Sequence, residues 1–245
     1  FKTASVPEVA GAVYPQQIGD TYTTDPTVKI SATNLPEGSY YWQEVSTVEP
    51  YGLNTDKITF DITAPDNATT NPDPVLKDFV NYKLPTIDKD VEGGSHLDIN
   101  IGEEFDFNIY VDIPEDIANY TLFKVTDTLS PELSYVNAVS DPTGTLTQTG
   151  QVVVFDYSSQ VAALAAARAA GTTRIHITIT AMINTTASHG QVIPNQAFLD
   201  YNNGKGEVKD DEPSDTPTVT PSEGSIEIKK FESDGTTPLD GAEFQ

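Results

Sequence analysis

Three short segments, far apart in the chain, set a reactive side chain among apolar neighbours. They are Ile87-Asp88-Lys89-Asp90-Val91, Val125-Thr126-Asp127-Thr128-Leu129-Ser130, and Ile193-Pro194-Asn195-Gln196-Ala197-Phe198-Leu199-Asp200-Tyr201. A lysine can supply an amine nucleophile, an aspartic acid can move a proton, and an asparagine offers an amide carbonyl. Taken singly, each has a plainer reading. Lys89 reads as a solvated surface residue, since lysine is almost never buried unpaired. Asp127 before Thr-Leu-Ser reads as a turn or cap residue, and so does Asn195 after proline. Other chemistries lack their signatures. His96, His176 and His189 show no metal-ligand spacing, and His176 reads as an outward strand residue. The run Asp88-x-Asp90-x-Glu92-Gly93-Gly94 hints at a calcium loop, but Ile99 stands where the bidentate acid belongs, so no metal site is expected. Ser188 beside His189 is no nucleophile–base pair, because a triad is recognised by geometry and not by adjacency. No phosphate loop or nucleotide fingerprint is present, and no cofactor is expected.

The elements that must position these residues are strands. The 245 residues suffice for two cores, and Thr, Val, Ile, Tyr and Phe are abundant, with 17 Pro and 16 Gly as punctuation. There is no cysteine, so an exported chain would need a source of robustness other than disulfides. A formal charge of −24 with 13 basic residues argues against nucleic acid as a partner. No apolar run approaches membrane-spanning length, and no signal peptide is seen.

Residues 1–83 read as a small β domain, with alternating strands at Thr27–Ser31 and Lys57–Ile62 and a last strand at Val80-Asn81-Tyr82. Residues 84–222 read as a second β domain. Phe105, Phe107, Ile109 and Val111 share one strand face, as do Ile175, Ile177 and Ile179. The one helix expected runs from Ser159 to Ala170, with Gly171 stopping it. Asp210-Asp211-Glu212-Pro213-Ser214-Asp215 reads as a solvated connection. Residues 223–245 read as the opening strand of a further domain, Ile226-Glu227-Ile228-Lys229-Lys230-Phe231, followed by Pro238-Leu239-Asp240-Gly241-Ala242-Glu243-Phe244. So short a segment cannot bury a core alone.

In this order the segments resemble the sortase-assembled Gram-positive pilins. Asn34-Leu35-Pro36 followed by Gly38-Ser39-Tyr40-Tyr41-Trp42-Gln43-Glu44 resembles the collagen-adhesin B-type (CnaB) repeat, and Lys230 with its Gly-Ala-x-Phe turn resembles the opening of another. The resemblance implies an all-β chain of tandem immunoglobulin-like CnaB-type sandwiches with one short helix in the second. It implies an intramolecular isopeptide bond between Lys89 and Asn195 with Asp127 as the acid. It also makes Glu44 the acid of the first domain, Asn81 its acceptor asparagine and Lys230 a crosslink partner. The first domain resembles a CnaB repeat missing its first strand, and the final segment could complete a domain in this molecule or a neighbouring one. Shaft pilins carry a Tyr-Pro-Lys-Asn motif whose lysine accepts the next subunit. Here Val13-Tyr14-Pro15-Gln16-Gln17 lacks that lysine, and Lys83, in Asn81-Tyr82-Lys83-Leu84-Pro85, is the candidate that remains.

The chemistry asks for burial. Taking a lysine out of water disfavours its charged form, while the same burial favours a neutral carboxylic acid that can donate to the asparagine carbonyl. Fixed proximity supplies on the order of 7–11 kcal/mol of the barrier. Val125, Ile193, Ala197 and Leu199 are the expected apolar surround. The resemblance thus implies a chain that reacts once, on itself, and is not a turnover enzyme. Its implied place is extracellular, on the cell wall. Its implied partners are neighbouring pilin subunits and a sortase. The alternative is an adhesin or tip subunit that binds host matrix, mucus or glycan.

Overall fold

The computed structural model describes residues 2–5, 35–63, 79–222 and 229–241. The strand expected at Thr27–Ser31, the Tyr14-Pro15 motif and residues Ile226–Ile228 lie outside them. Among the described residues the fold is all-β with one short α-helix. β1 (Lys2–Ser5), β2 (Gly38–Trp42) and β3 (Ile58–Ile62) form an antiparallel sheet with β2 in the middle. Tyr40 stacks on Phe60 across it, ring centroids 5.6 Å apart.

The remaining strands are β4 (Ile87–Val91), β5 (His96–Ile99), β6 (Glu104–Asp112), β7 (Leu122–Thr128), β8 (Leu133–Asp141), β9 (Thr145–Thr149), β10 (Val152–Asp156), β11 (Arg174–Ile183), β12 (Ile193–Pro194), β13 (Ala197–Asn202), β14 (Val208–Pro213) and β15 (Thr218–Pro221). They build a sandwich. One sheet runs β4-β6-β11-β8, the other β14-β13-β7-β10-β9, and a small third sheet, β12-β15-β5, closes one side. Strict alternation explains the layers: Phe105, Phe107, Ile109 and Val111 on β6, and Ile175, Ile177 and Ile179 on β11, all point inward and are buried. His176 points outward and stacks on Tyr110, 4.7 Å between centroids.

The helix α1 spans Val161–Ala169 and buries Leu164. Gly171, at φ +105°, ends it, with its N–H on the Arg168 carbonyl and the Thr172 N–H on that of Ala167. Among the described residues no helix is long and apolar enough to cross a membrane.

Two expectations are corrected. Val80-Asn81-Tyr82 joins no ladder among the described residues. It is tied down by the Tyr51–Lys83 bridge and by side chains, such as the Asn54 amide on the Val80 carbonyl. Asp210 to Pro213 is not a connection but part of β14, the edge strand beside β13. Its acidic side chains face water, and a register shift opposite Leu199 and Tyr201 twists it. Charge and irregularity of this kind keep an edge from pairing with another chain.

Candidate isopeptide site

Lys89, Asp127 and Asn195 come together inside the sandwich. Lys89 lies on β4 between Ile87 and Val91, all three facing inward. Asp127 lies on the central strand β7, on the face that carries Phe123 and Val125, opposite Val153 on β10 and Ala197 on β13. Asn195 sits between β12 and β13, and Ile193, Ala197 and Leu199 share its buried side. Relative exposures are 4% for Lys89, 1% for Asp127 and 2% for Asn195. The surround named from the sequence, Val125, Ile193, Ala197 and Leu199, is fully buried.

The Lys89 ammonium pairs directly with Asp127 Oδ2. Asn195 Nδ2 donates to that same oxygen at 3.4 Å. Asp127 Oδ1 and Asn195 Oδ1 are buried with no hydrogen-bond partner. Burial pushes the Lys89 pKa below its ordinary value, and the adjoining Asp127 opposes the shift. Phe107 forms the floor, its ring centroid 4.8 Å from Lys89 Nζ. An amine with weakened hold on its proton, an acid and an amide with an unengaged carbonyl oxygen are thus packed together in the buried interior.

Outside these three, Ser214 fixes the backbone around Asn195. Its hydroxyl accepts from the Ala197 N–H at 3.0 Å and donates to the Asp215 carbonyl, and its own N–H returns to the Ala197 carbonyl. The Asn195 N–H is held by the Pro217 carbonyl at 3.0 Å. Sequence reasoning missed Ser214 because the acidic run around it resembles a linker. It found Phe107 as core but not as the floor of the site.

The segment after β2 and the one before β4 bring Glu44 and Asn81 together. Asn81 Nδ2 donates to Glu44 Oε1 at 2.6 Å and to Thr47 Oγ1 at 3.1 Å, and Glu44 Oε2 accepts from the Asn54 N–H at 2.8 Å. No ion pair reaches Glu44 among the described residues. Lys83 is exposed, its backbone bridged to Tyr51, and Lys230 is exposed too, its carbonyl accepting from the Leu239 N–H. Neither meets the Lys89 cluster.

A family model described as SpaA, a prealbumin-like fold domain, matches residues 8–73. The structure of BcpA, the major pilin subunit of Bacillus cereus, superposes with a TM-score of 0.65 at 26% identity, over 84% of this chain and 61% of that one. A fragment of the major pilin GBS80 of Streptococcus agalactiae shares the fold, with a TM-score of 0.53 at 21% identity over 64% of this chain and 62% of that one. Platelet adherence protein A of Streptococcus gordonii is 32% identical over 155 residues, 58% of this chain and 4% of that protein. The chain therefore spans about three-fifths of the pilin and a small part of the adherence protein. It is similar to the Gram-positive major pilins, with a match to a SpaA prealbumin-like domain over residues 8–73 and a β-sandwich of the major-pilin fold.

Proposed function

We propose that this chain is a structural subunit of a cell-surface pilus, hardened by a self-made isopeptide bond between Lys89 and Asn195. The observation that carries the reading is the convergence of both side chains on Asp127 Oδ2 in a buried, apolar interior. Neutral Lys89 Nζ attacks Asn195 Cγ. A half-turn of the amide brings its carbonyl oxygen onto the Asp127 oxygen, where a protonated acid polarises it. Asp127 then carries a proton from the attacking nitrogen to the leaving one, the Cγ–Nδ2 bond breaks, and ammonia departs. One amide replaces another, with no oxidant and no turnover.

The bond would join the two large sheets, since β4 belongs to one and β7 and β13 to the other. It would carry load past residues 90–194. The shielding has a limit that the sequence order concealed: β13, β14 and β15 follow Asn195 and stay in the load path. There the parallel β15–β5 ladder and the β12–β15 pair must resist shear.

In this reading the chain is extracellular and wall-attached, with a sortase linking an exposed lysine, Lys83, to the next subunit. A second reading, a stalk module of an adhesin that meets host matrix or mucus, is favoured by the 32% identity to a stretch of platelet adherence protein A. Transfer of a sortase-activated neighbour onto Lys83, lost in Lys83→Ala, would select the first. The intact mass of the folded chain tests the bond itself. It should fall short of the sequence mass by one ammonia, and Asp127→Ala should restore the full mass. A wild-type chain of full mass would refute the crosslink.

A further inference from the structure

Among the described residues the two large sheets of the sandwich end in four outer strands, β14, β9, β4 and β8. An outer strand offers unpaired N–H and C=O groups to any chain that can lie alongside, so folds guard such edges with charge, proline or a bulge. Three of the four are guarded. β14 carries Lys209, Asp210, Asp211, Glu212 and Pro213, β4 carries Asp88 and Asp90, and β8 has a register shift opposite Thr180 and Ala181. β9 has none of these devices. It reads Thr-Leu-Thr-Gln-Thr, all five residues are exposed, and no charged residue occurs from Pro142 to Phe155. Its ladder with β10 is regular, and among the described residues β10 is its only strand partner. Register sets its faces. Leu146 and Gln148 lie opposite the buried Phe155 and Val153, on the core side, while Thr145, Thr147 and Thr149 lie on the outer side. Leu146 reaches past the core and is 39% exposed.

We propose that β9 is a docking edge for a second copy of this chain, whose own β9 adds to it antiparallel about a two-fold axis at Thr147. The residue types single out this occupant. The strand reads Thr-x-Thr-x-Thr in either direction, so the axis sets Thr147 opposite its own copy and Thr145 opposite Thr149 of the second copy. Threonines opposed in this way stabilise an antiparallel pair. On the core side Leu146 lies opposite Gln148 of the second copy and diagonal to its Leu146, which covers the exposed leucine. Charge points the same way. Copies with a net charge of −24 repel each other, and they approach best where no charge faces another. A basic partner would be held instead by an acidic strand such as β14. Docking joins the five-stranded sheets of the two copies into one continuous sheet. A contact of one short strand falls below the roughly 1,200 Å² of a stable interface, so a single pairing is weak and reversible. In the pilus reading above, on which only this last step rests, rods lying side by side repeat the contact and gain from its multiplicity.

The chain has no cysteine, so one introduced thiol reports on one position. Directly opposed residues of an antiparallel pair have Cα atoms about 4.5–5.5 Å apart, within reach of a disulfide. In the proposed register position 147 is opposed to itself, whereas positions 145 and 149 are each about 13 Å from their own copies and cannot link to them. The full chain carrying Thr147→Cys, oxidised by glutathione disulfide in high salt, should form a covalent dimer at least about tenfold faster than Thr145→Cys or Thr149→Cys alone. A mixture of those two variants should form the mixed dimer as fast as Thr147→Cys forms its own. Salt screens the repulsion between copies, so the yield should rise with it. Adding Thr145→Asp and Thr149→Asp to Thr147→Cys sets like charges opposite each other and should lower the rate to that of Thr145→Cys. Adding Thr145→Lys and Thr149→Asp instead sets unlike charges opposite each other and should restore it, so misfolding cannot mimic the loss. Equal rates for the three single cysteines overturn the pairing. Faster self-linking at 145 or 149 than at 147 overturns the two-fold register, and with it the proposal. So does an acidic variant that links as fast as Thr147→Cys alone, or a mixed-charge variant that stays as slow as the acidic one.

Discussion

Lys89 and Asn195 meet on a single atom, Oδ2 of Asp127, although Lys89 comes from one large sheet and Asn195 from the link between the small sheet and the other large one. A carboxylate that only neutralised a buried lysine would need no second donor. One that only satisfied an asparagine would need no cation. Sharing one oxygen brings the amine and the amide carbon next to each other, which is the geometry an acyl transfer needs. The apolar walls keep out the water that would otherwise solvate the ammonium and hold it charged.

The proposed crosslink and the acid should make separable contributions to stability. Asn195→Ala removes the bond but leaves the Lys89–Asp127 pair. It should lower the unfolding free energy by about 4–5 kcal/mol, the chain-entropy value for closing a loop of about a hundred residues. Asp127→Ala removes the bond and strands a buried lysine. It should cost a further 3–5 kcal/mol, roughly the penalty for breaking a buried pair. Urea unfolding of the three proteins decides. Equal losses in the two variants would mean that the pair carries no weight of its own.

The pH dependence separates an amine from an amide at position 89. Burial holds the Lys89 pKa below 10.5 in the folded chain, so the unfolded chain binds that proton more tightly. Between the lowered value and 10.5, unfolding takes up a proton, and stability therefore rises with pH. This slope exists only while Lys89 keeps its amine. Asn195→Ala should gain stability relative to wild type as the pH rises towards about 10. If the proposed crosslink has formed, the wild type has no amine there to titrate. Parallel stability curves would show that Lys89 in the wild type is still a free amine.

The site is legible in the sequence through the resemblance to the pilins, since Lys89, Asp127 and Asn195 taken singly read as surface or turn residues. The structure adds the physical reason: each sits at a core-facing position, where a polar residue is costly and calls for a partner. Alternation reveals β6 and β11, and Gly171 marks the end of α1. Composition misleads at β14, because an acidic, proline-containing edge strand and a solvated linker have the same residues. It misleads at Val80-Asn81-Tyr82 as well, where the pattern of a strand is present but its hydrogen bonds go to side chains and one bridge. Ser214 gives no signal, since its role depends on the return of β14 past Ala197.

Ser214→Ala should weaken both the fold and the reaction. Ser214 is buried, and its hydroxyl is the acceptor for the Ala197 N–H beside Asn195. Removing it leaves that N–H unsatisfied, at a cost of about 1–3 kcal/mol. The backbone around Asn195 then loosens, and bond formation after refolding should slow. The ammonia deficit followed over time by mass spectrometry reads this directly. An unchanged rate with lowered stability would limit Ser214 to a structural part.

The first sheet is clasped to the sandwich, and one glycine makes the clasp possible. Thr55 donates from its N–H and its hydroxyl to the Lys205 carbonyl at 2.6 and 2.8 Å, the Asn203 amide donates to the Leu53 carbonyl at 3.1 Å, and the Lys205 ammonium pairs with Asp56. The Asn54 N–H that holds Glu44 belongs to the same loop, whose backbone bridges to Gly206. Gly206 has φ +114°, and a Cβ there would lie 2.6 Å from the Thr55 methyl. Gly206→Ala must therefore strain its own backbone and push Thr55 away, a cost of about 1–3 kcal/mol. The sandwich core is remote from this loop and should keep its crosslink. The expected variant is folded, carries the ammonia deficit, and shows a broader, longer distance distribution in small-angle scattering as the two bodies come apart. Lys205→Ala removes only a partly exposed ion pair, worth about 0–1 kcal/mol, and should leave that distribution unchanged. A Gly206→Ala profile identical to wild type would show that the backbone contacts of this loop do not set the angle between the bodies. A rod built from such units would then have to draw its stiffness from elsewhere.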